Sequence, residues 1–155
     1  ALFFGRHGFK INVVTIPEGS ERIDSIRGAY RTRQNIRTIV VDGSPFSSLE
    51  IVAALRRGEI VAMLVDRWEG TDGIPAKFFG EDRRFPRGPF VLSRATGAPV
   101  IPAFIVRDGN IYRGVVDPPV FMEEPEDEPG ARRVSESLER MIRTYPDQWY
   151  NFTPR

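Results

Sequence analysis

Residues 78–105 read FFGEDRRFPRGPFVLSRATGAPVIPAFI, and three signals in this stretch set the fold class. The segment PRGPFVLSRATG (86–97) opens on Pro86-Arg87-Gly88-Pro89 and closes on Gly97, the start and stop signals of a short helix. The segment PVIPAFIVR (99–107) is apolar and β-branched, which predicts a buried strand. Arg83, Arg84 and Arg87 stand just before both. Guanidinium forks match phosphate and carboxylate oxygens in pairs, and an Arg87-Gly88 helix entry would add free amides to the same positive field. An anion site at the mouth of a sheet is therefore expected. Phe78, Phe79, Phe85 and Phe90 flank the arginines; such aromatics suit a core, and beside an anion site they also suit an amphiphilic ligand.

Working outward, KINVVTI (10–16) is a short β-branched strand broken by Pro17 and Gly19. Residues 20–35 are polar and arginine-rich, and Ile23, Ile26 and Tyr30 give them the narrow apolar stripe of a helix. IRTIVVD (36–42) predicts a second strand, and Ser47 with Glu50 a capping box for a helix that Gly58 ends. EIVAMLVD (59–66) is apolar on both alternating faces, the pattern of a central strand covered on both sides, and it ends in Asp66. Asp108-Gly109-Asn110 marks a hairpin turn into IYRGVVD (111–117). MEEPEDEPG (122–130) reads as a solvated loop before a final helix, whose stripe is Val134, Leu138, Met141, Ile142 and Tyr145. This order predicts an α/β fold over residues 1–155: one domain with a mainly parallel mixed sheet, flanked by helices and carrying an antiparallel edge.

Composition narrows the chemistry. The chain has 155 residues, 41% of them hydrophobic, enough for one core. Its 22 basic and 21 acidic residues leave a net charge of +1, so nothing global points to nucleic acid and anion binding must be local. There is no cysteine and only one histidine, which excludes thiolate and multi-histidine metal centres. No metal and no cofactor is expected. His7 has Asn12 five residues on, where a catalytic pairing would want an acid, and reads as a turn residue. No Walker loop or G-x-S-x-G elbow is present. Because ligands in open α/β sheets gather at the carboxyl ends of strands, Asp42-Gly43, Asp66-Arg67 and the loop from Gly70 to Arg87 are expected on one rim. The substrate-binding candidates are Asp66, Arg67, Gly70, Arg83, Arg84, Arg87 and Gly88.

Three linked stretches carry a resemblance: LVDRWEG (64–70), IPAKFFGEDRRFPRGPFVLSRATGAPVIPAFIVR (74–107) and YPDQWYNF (145–152). In this order they resemble the bacterial lipid A biosynthesis acyltransferases, the lauroyl and myristoyl transferases, within the glycerolipid and lysophospholipid acyltransferase superfamily. The resemblance runs from about Ala1 to Phe152. It implies a glycerolipid acyltransferase-like fold and transfer of a fatty acyl group to a hydroxyl of a membrane glycolipid or lysophospholipid. The donor would be a thioester on acyl carrier protein or coenzyme A. The implied place of work is the cytoplasmic face of the bacterial inner membrane, as a peripheral or anchored protein.

The family's catalytic device is a histidine followed five residues later by Asp or Glu, lying upstream of the part that ALFFGRHGFKINVV (1–14) resembles. By that resemblance the chain is the C-terminal part of one acyltransferase domain, truncated at its N-terminus and inactive alone. Asp66 and Arg67 fall where the superfamily's phosphate-contacting loop would be, whereas Arg83, Arg84 and Arg87 rest on chemistry alone. A second reading is a non-catalytic lipid- or anion-binding module of the same fold.

Overall fold

The structure is a computed structural model that describes residues 5, 7–16, 28, 31–34, 36–41, 45–66, 70, 73–122 and 125–149. Of the helix expected over 20–35, only 28 and 31–34 are described, with 28, 31 and 32 helical; the rest falls outside these residues, as do Asp42, Gly43 and Arg67. Two compact units divide the chain, Ala1–Leu64 and Val65–Arg155.

In the first unit, strands β1 (Ile11–Thr15), β2 (Ile36–Val40) and β3 (Ile60–Ala62) form a parallel sheet in the order β2-β1-β3. Among the described residues, the strand predicted as central over 59–66 is thus a short one at the end of the sheet, and β1 is the middle one. A continuous apolar run cannot distinguish the two positions, because order in a sheet is decided by pairing between distant segments. Helix α1 (Pro45–Arg56) turns Ser47, Ile51 and Ala54 inward. It begins two residues ahead of Ser47, so the predicted capping box is displaced, and Glu50 pairs with Arg37 of β2 instead. Gly58 closes the helix at φ +73, a conformation glycine enters without steric cost.

Asn12 is 2% exposed, and its side-chain amide donates to Glu59 (3.0 Å) and to the Ile60 carbonyl (3.3 Å). Arg57 donates to both oxygens of the same carboxylate, at 2.9 and 3.0 Å. These hydrogen bonds, from Arg57 first and Asn12 second, hold the Glu59 carboxyl down from 4.5 to about 2. A depressed carboxyl stabilises the fold above its unfolded value, and that contribution is lost as pH falls through its folded value. Stability should therefore decline between pH 4.5 and about 2, and Glu59→Gln should flatten that part of the profile. Urea midpoints measured against pH test this; an unchanged slope in the variant refutes it.

In the second unit, strands β4 (Ile74–Phe78) and β5 (Glu81–Phe85) form an antiparallel hairpin, and β6 (Ala103–Asp108) and β7 (Ile111–Val116) form another. The described strands therefore fall into one parallel sheet and two antiparallel hairpins rather than one mainly parallel sheet. The first hairpin lies where the sequence predicts a loop. The second turns at Gly109 (φ +61), as Asp108-Gly109-Asn110 predicts. On β6 only Val106 is buried; the strand is half-solvated rather than the buried strand expected.

Helix α2 (Gly88–Thr96) stops at Gly97, whose φ of +76 and amide bond to the Ser93 carbonyl (2.8 Å) satisfy the helix end. Helix α3 (Glu128–Thr144) lays Ala131, Val134, Leu138 and Met141 inward at the predicted spacing. Ile74, Phe90, Ala131 and Val134 make one buried cluster, with Val65, Ala76, Val100 and Met122 packed against it. Phe78, Phe85 and Leu138 make a second, with Trp149 and Ile142 at its border. Ser135, fully buried, donates to the Lys77 carbonyl at 2.6 Å and so fixes α3 along β4. A 3-10 turn (Pro146–Gln148) follows α3. From it the Gln148 amide accepts the Arg107 N–H (2.7 Å) and donates to the Arg107 carbonyl (2.9 Å), as a neighbouring strand would.

Candidate functional site

The hairpin decides what the arginine run can do. Successive residues of a strand face opposite ways. In register, Arg83 lies across from Ala76 and Arg84 across from Pro75, so these two arginines occupy opposite faces. Arg84 reaches back to the Gly73 carbonyl at 2.7 Å, tying the loop before β4 to β5. Arg83 is exposed. Asp82 pairs with Lys77 across the hairpin at 2.9 Å. The three arginines do not form one cluster.

Arg87 is placed as the sequence predicts, at the cap position of α2. Its carbonyl accepts the amides of Phe90 (3.1 Å) and Val91 (3.2 Å). Pro89 has no amide, so Gly88 supplies the donor at this helix end, and nothing lies within 4 Å of where a Gly88 side chain would start. Arg87 already has an internal counter-ion. Its Nε stands 3.6 Å from Asp127 Oδ2, and Arg94 Nη1 stands 2.7 Å from Asp127 Oδ1. That short contact lies outside hydrogen-bond geometry, since Asp127 Oδ1 is buried without a hydrogen-bond partner, and Arg94 directs a bond to the Pro125 carbonyl instead (2.6 Å). Asp127 was legible only as one of many acids in a solvated loop; it is 8% exposed and bridges the starts of α2 and α3. The Arg87 side chain remains 56% exposed, which leaves guanidinium donors facing solvent.

Asp66 sits in a bend four residues past the end of β3 and is half-buried. The strand it was expected to terminate stops at Ala62. Its neighbour Val65 packs on the cluster that contains Phe90 of α2, so the Asp66 backbone and the Arg87-Gly88 helix are anchored on one core. Gly70 is exposed, and Arg67 lies outside the described residues. His7 is in an exposed turn closed by the Gly8 amide on the Gly5 carbonyl (3.1 Å). Among the described residues no three His, Asp or Glu side chains gather as a metal site, and no helix is long and apolar enough to cross a membrane.

The turn between β4 and β5 was not foreseen from the sequence. Phe79 has φ +52, the only positive φ of a non-glycine residue among those described, and Gly80 follows at φ +86. Two positive values in a two-residue connection are those of a type I′ turn, where Asn or Gly is usual; a left-handed phenylalanine costs about 1–2 kcal/mol. The Phe-Gly pair between two short segments was the available clue.

A sequence model described as bacterial lipid A biosynthesis acyltransferase matches residues 1–155. The chain belongs to this family. Among curated proteins, it is similar to the phosphatidylinositol mannoside acyltransferase of Mycobacterium tuberculosis (strain ATCC 25618 / H37Rv), 23% identical over 127 residues, covering 81% of this chain and 40% of the relative. A second relative, the phosphatidylinositol mannoside acyltransferase of Mycolicibacterium smegmatis, is 24% identical over 127 residues, covering 81% of this chain and 42% of its own length. The chain thus spans about two-fifths of the curated relatives it matches.

Proposed function

We propose that this chain is the acceptor-side part of an enzyme that moves a fatty acyl group from a thioester, on acyl carrier protein or coenzyme A, to a hydroxyl of a membrane glycolipid or lysophospholipid. The observation that carries this reading is family membership along all of residues 1–155. The relatives' names add that acceptors in the family include phosphorylated glycolipids. In the reaction the acceptor oxygen bonds to the thioester carbonyl carbon, its proton passes to a general base, and the carbon–sulfur bond breaks to release the thiol. His7, in an exposed turn with Asn12 five residues on, does not suit the base. That role goes to the family's histidine-acid pair, outside these residues. The work is placed at the cytoplasmic face of the inner membrane, where both substrates meet.

Within the chain, Arg87 and the Gly88 amide are assigned to a phosphate of the acceptor or carrier; Arg83, Arg84, Asp66, Arg67 and Gly70 are candidates on the sequence alone. Arg87→Ala should weaken acceptor binding by roughly tenfold to a hundredfold, the range of a lost charged hydrogen bond. The fold should lose less than about 1 kcal/mol, because the pair with Asp127 is half in water. Titration of the intact gene product with acceptor, beside urea denaturation, separates the two; equal losses refute the assignment. Asp66→Asn should lower acyl transfer at least about tenfold, or ~1.4 kcal/mol of barrier, with the fold retained. Transfer of radiolabelled acyl groups from a thioester to lysophospholipid tests both the variant and the reaction. An intact gene product that binds acceptor but transfers nothing would favour the non-catalytic module.

A further inference from the structure

Phe79 is held in its left-handed turn by surroundings that keep its ring outside the core. Its backbone amide donates to Glu139 Oε1 at 2.7 Å, and Arg143 holds the other Glu139 oxygen at 3.3 Å. The Arg143 guanidinium lies 4.9 Å from the centre of the Phe79 ring, and the ring meets Phe78 edge-on at 4.8 Å. Phe79 nevertheless stays 39% exposed, and the Arg143 side chain 65%. Asparagine or glycine would make the same turn with less strain, so the turn alone does not account for a phenylalanine. Strain at an exposed position is retained where the side chain serves something beyond the fold.

We propose that the β4–β5 turn inserts Phe79 into the interface of a phospholipid bilayer, with Arg143 directed to lipid phosphates. An aromatic ring at an exposed two-residue turn, backed by a guanidinium with donors left over, has the chemistry of an interfacial anchor: the ring enters the boundary of chains and headgroups while the arginine snorkels to the phosphate layer. Of the nearby acids, Glu139 is matched by Arg143 and Asp82 by Lys77, while Glu81 faces solvent at the start of β5. With Glu81 beside the turn, the ring and not electrostatics is the main source of binding. The inference rests on the membrane-lipid reading above and names the surface through which the chain meets its lipid.

The test is co-flotation of the intact gene product with vesicles of equal parts phosphatidylcholine and phosphatidylglycerol, beside urea denaturation of each variant. Phe79→Asn should unfold at higher urea than the parent and yet bind vesicles about tenfold more weakly, the loss expected from keeping one aromatic side chain in water. Phe79→Trp should restore binding, which should persist near ~1 M salt, where charges are screened within ~3 Å. The proposal is overturned if the parent does not float, if Phe79→Asn floats equally well, or if Phe79→Asn is less stable, since the ring would then belong to packing. Acyl transfer to detergent-dispersed acceptor is read separately. Transfer without flotation sinks this inference alone, and flotation without transfer sinks only the acyltransferase reading.

Discussion

Phe90→Ala is expected to destabilise the second unit by about 3–5 kcal/mol, the usual loss for emptying a large aromatic site. Phe90 is 0% exposed and shares its cluster with Ile74, Ala131 and Val134, so its removal opens a cavity that neither the hairpin nor α3 can fill without moving. Against a typical total of about 5–15 kcal/mol this is a large fraction, and for a chain of this size it should lower Tm by roughly 2–4 °C per kcal/mol. Phe90 also sits on the helix whose first residues carry the proposed anion site, so loosening it should blur that site as well. Thermal and urea denaturation give the answer; a loss below about 1 kcal/mol would mean the cluster is not the structural centre of residues 65–155.

Gly130→Val should produce the second large loss, about 3 kcal/mol, by overpacking the same region. A Cβ at position 130 would stand 2.5 Å from Met122 Sδ, 3.0 Å from Met122 Cε and 3.0 Å from Phe90 Cδ1. The methionine end can swing aside; the buried phenylalanine cannot. Glycine early in α3 is thus explained by close approach, against its unfavourable helix propensity. Combining Gly130→Val with Phe90→Leu should recover part of the loss, because the two residues compete for one volume, and contacting sites couple by about 0.5–3 kcal/mol. Strict additivity would show that the clash lies elsewhere.

What could be read from the sequence was what is encoded locally. The stop of α2 at Gly97, the turn at Gly109 and the inward stripe of α3 all follow from short-range backbone preference or helical period. The β4–β5 hairpin was missed because Glu81, Asp82, Arg83 and Arg84 offer no apolar alternation; they form a strand because β4 pairs with them, a tertiary cause. The same pairing dissolved the arginine cluster, since neighbours in a line of letters become opposite faces of a ribbon. Arg87 kept its predicted place because helix-entry chemistry is local, whereas its partner Asp127 comes from a loop forty residues away. The central position given to residues 59–66 failed for want of any signal of strand order.

The Gln148 side chain on β6 has a consequence for how motion in this chain can be watched. Its amide covers the Arg107 N–H from beyond α3, 41 residues away. Nothing in the β6–β7 hairpin itself secures that proton, so its exchange with deuterated solvent is governed by the comings and goings of the C-terminal turn. The Arg107 amide is therefore a gauge of that turn: its exchange rate reports the fraction of time Gln148 is away, leaving the ladder beneath undisturbed.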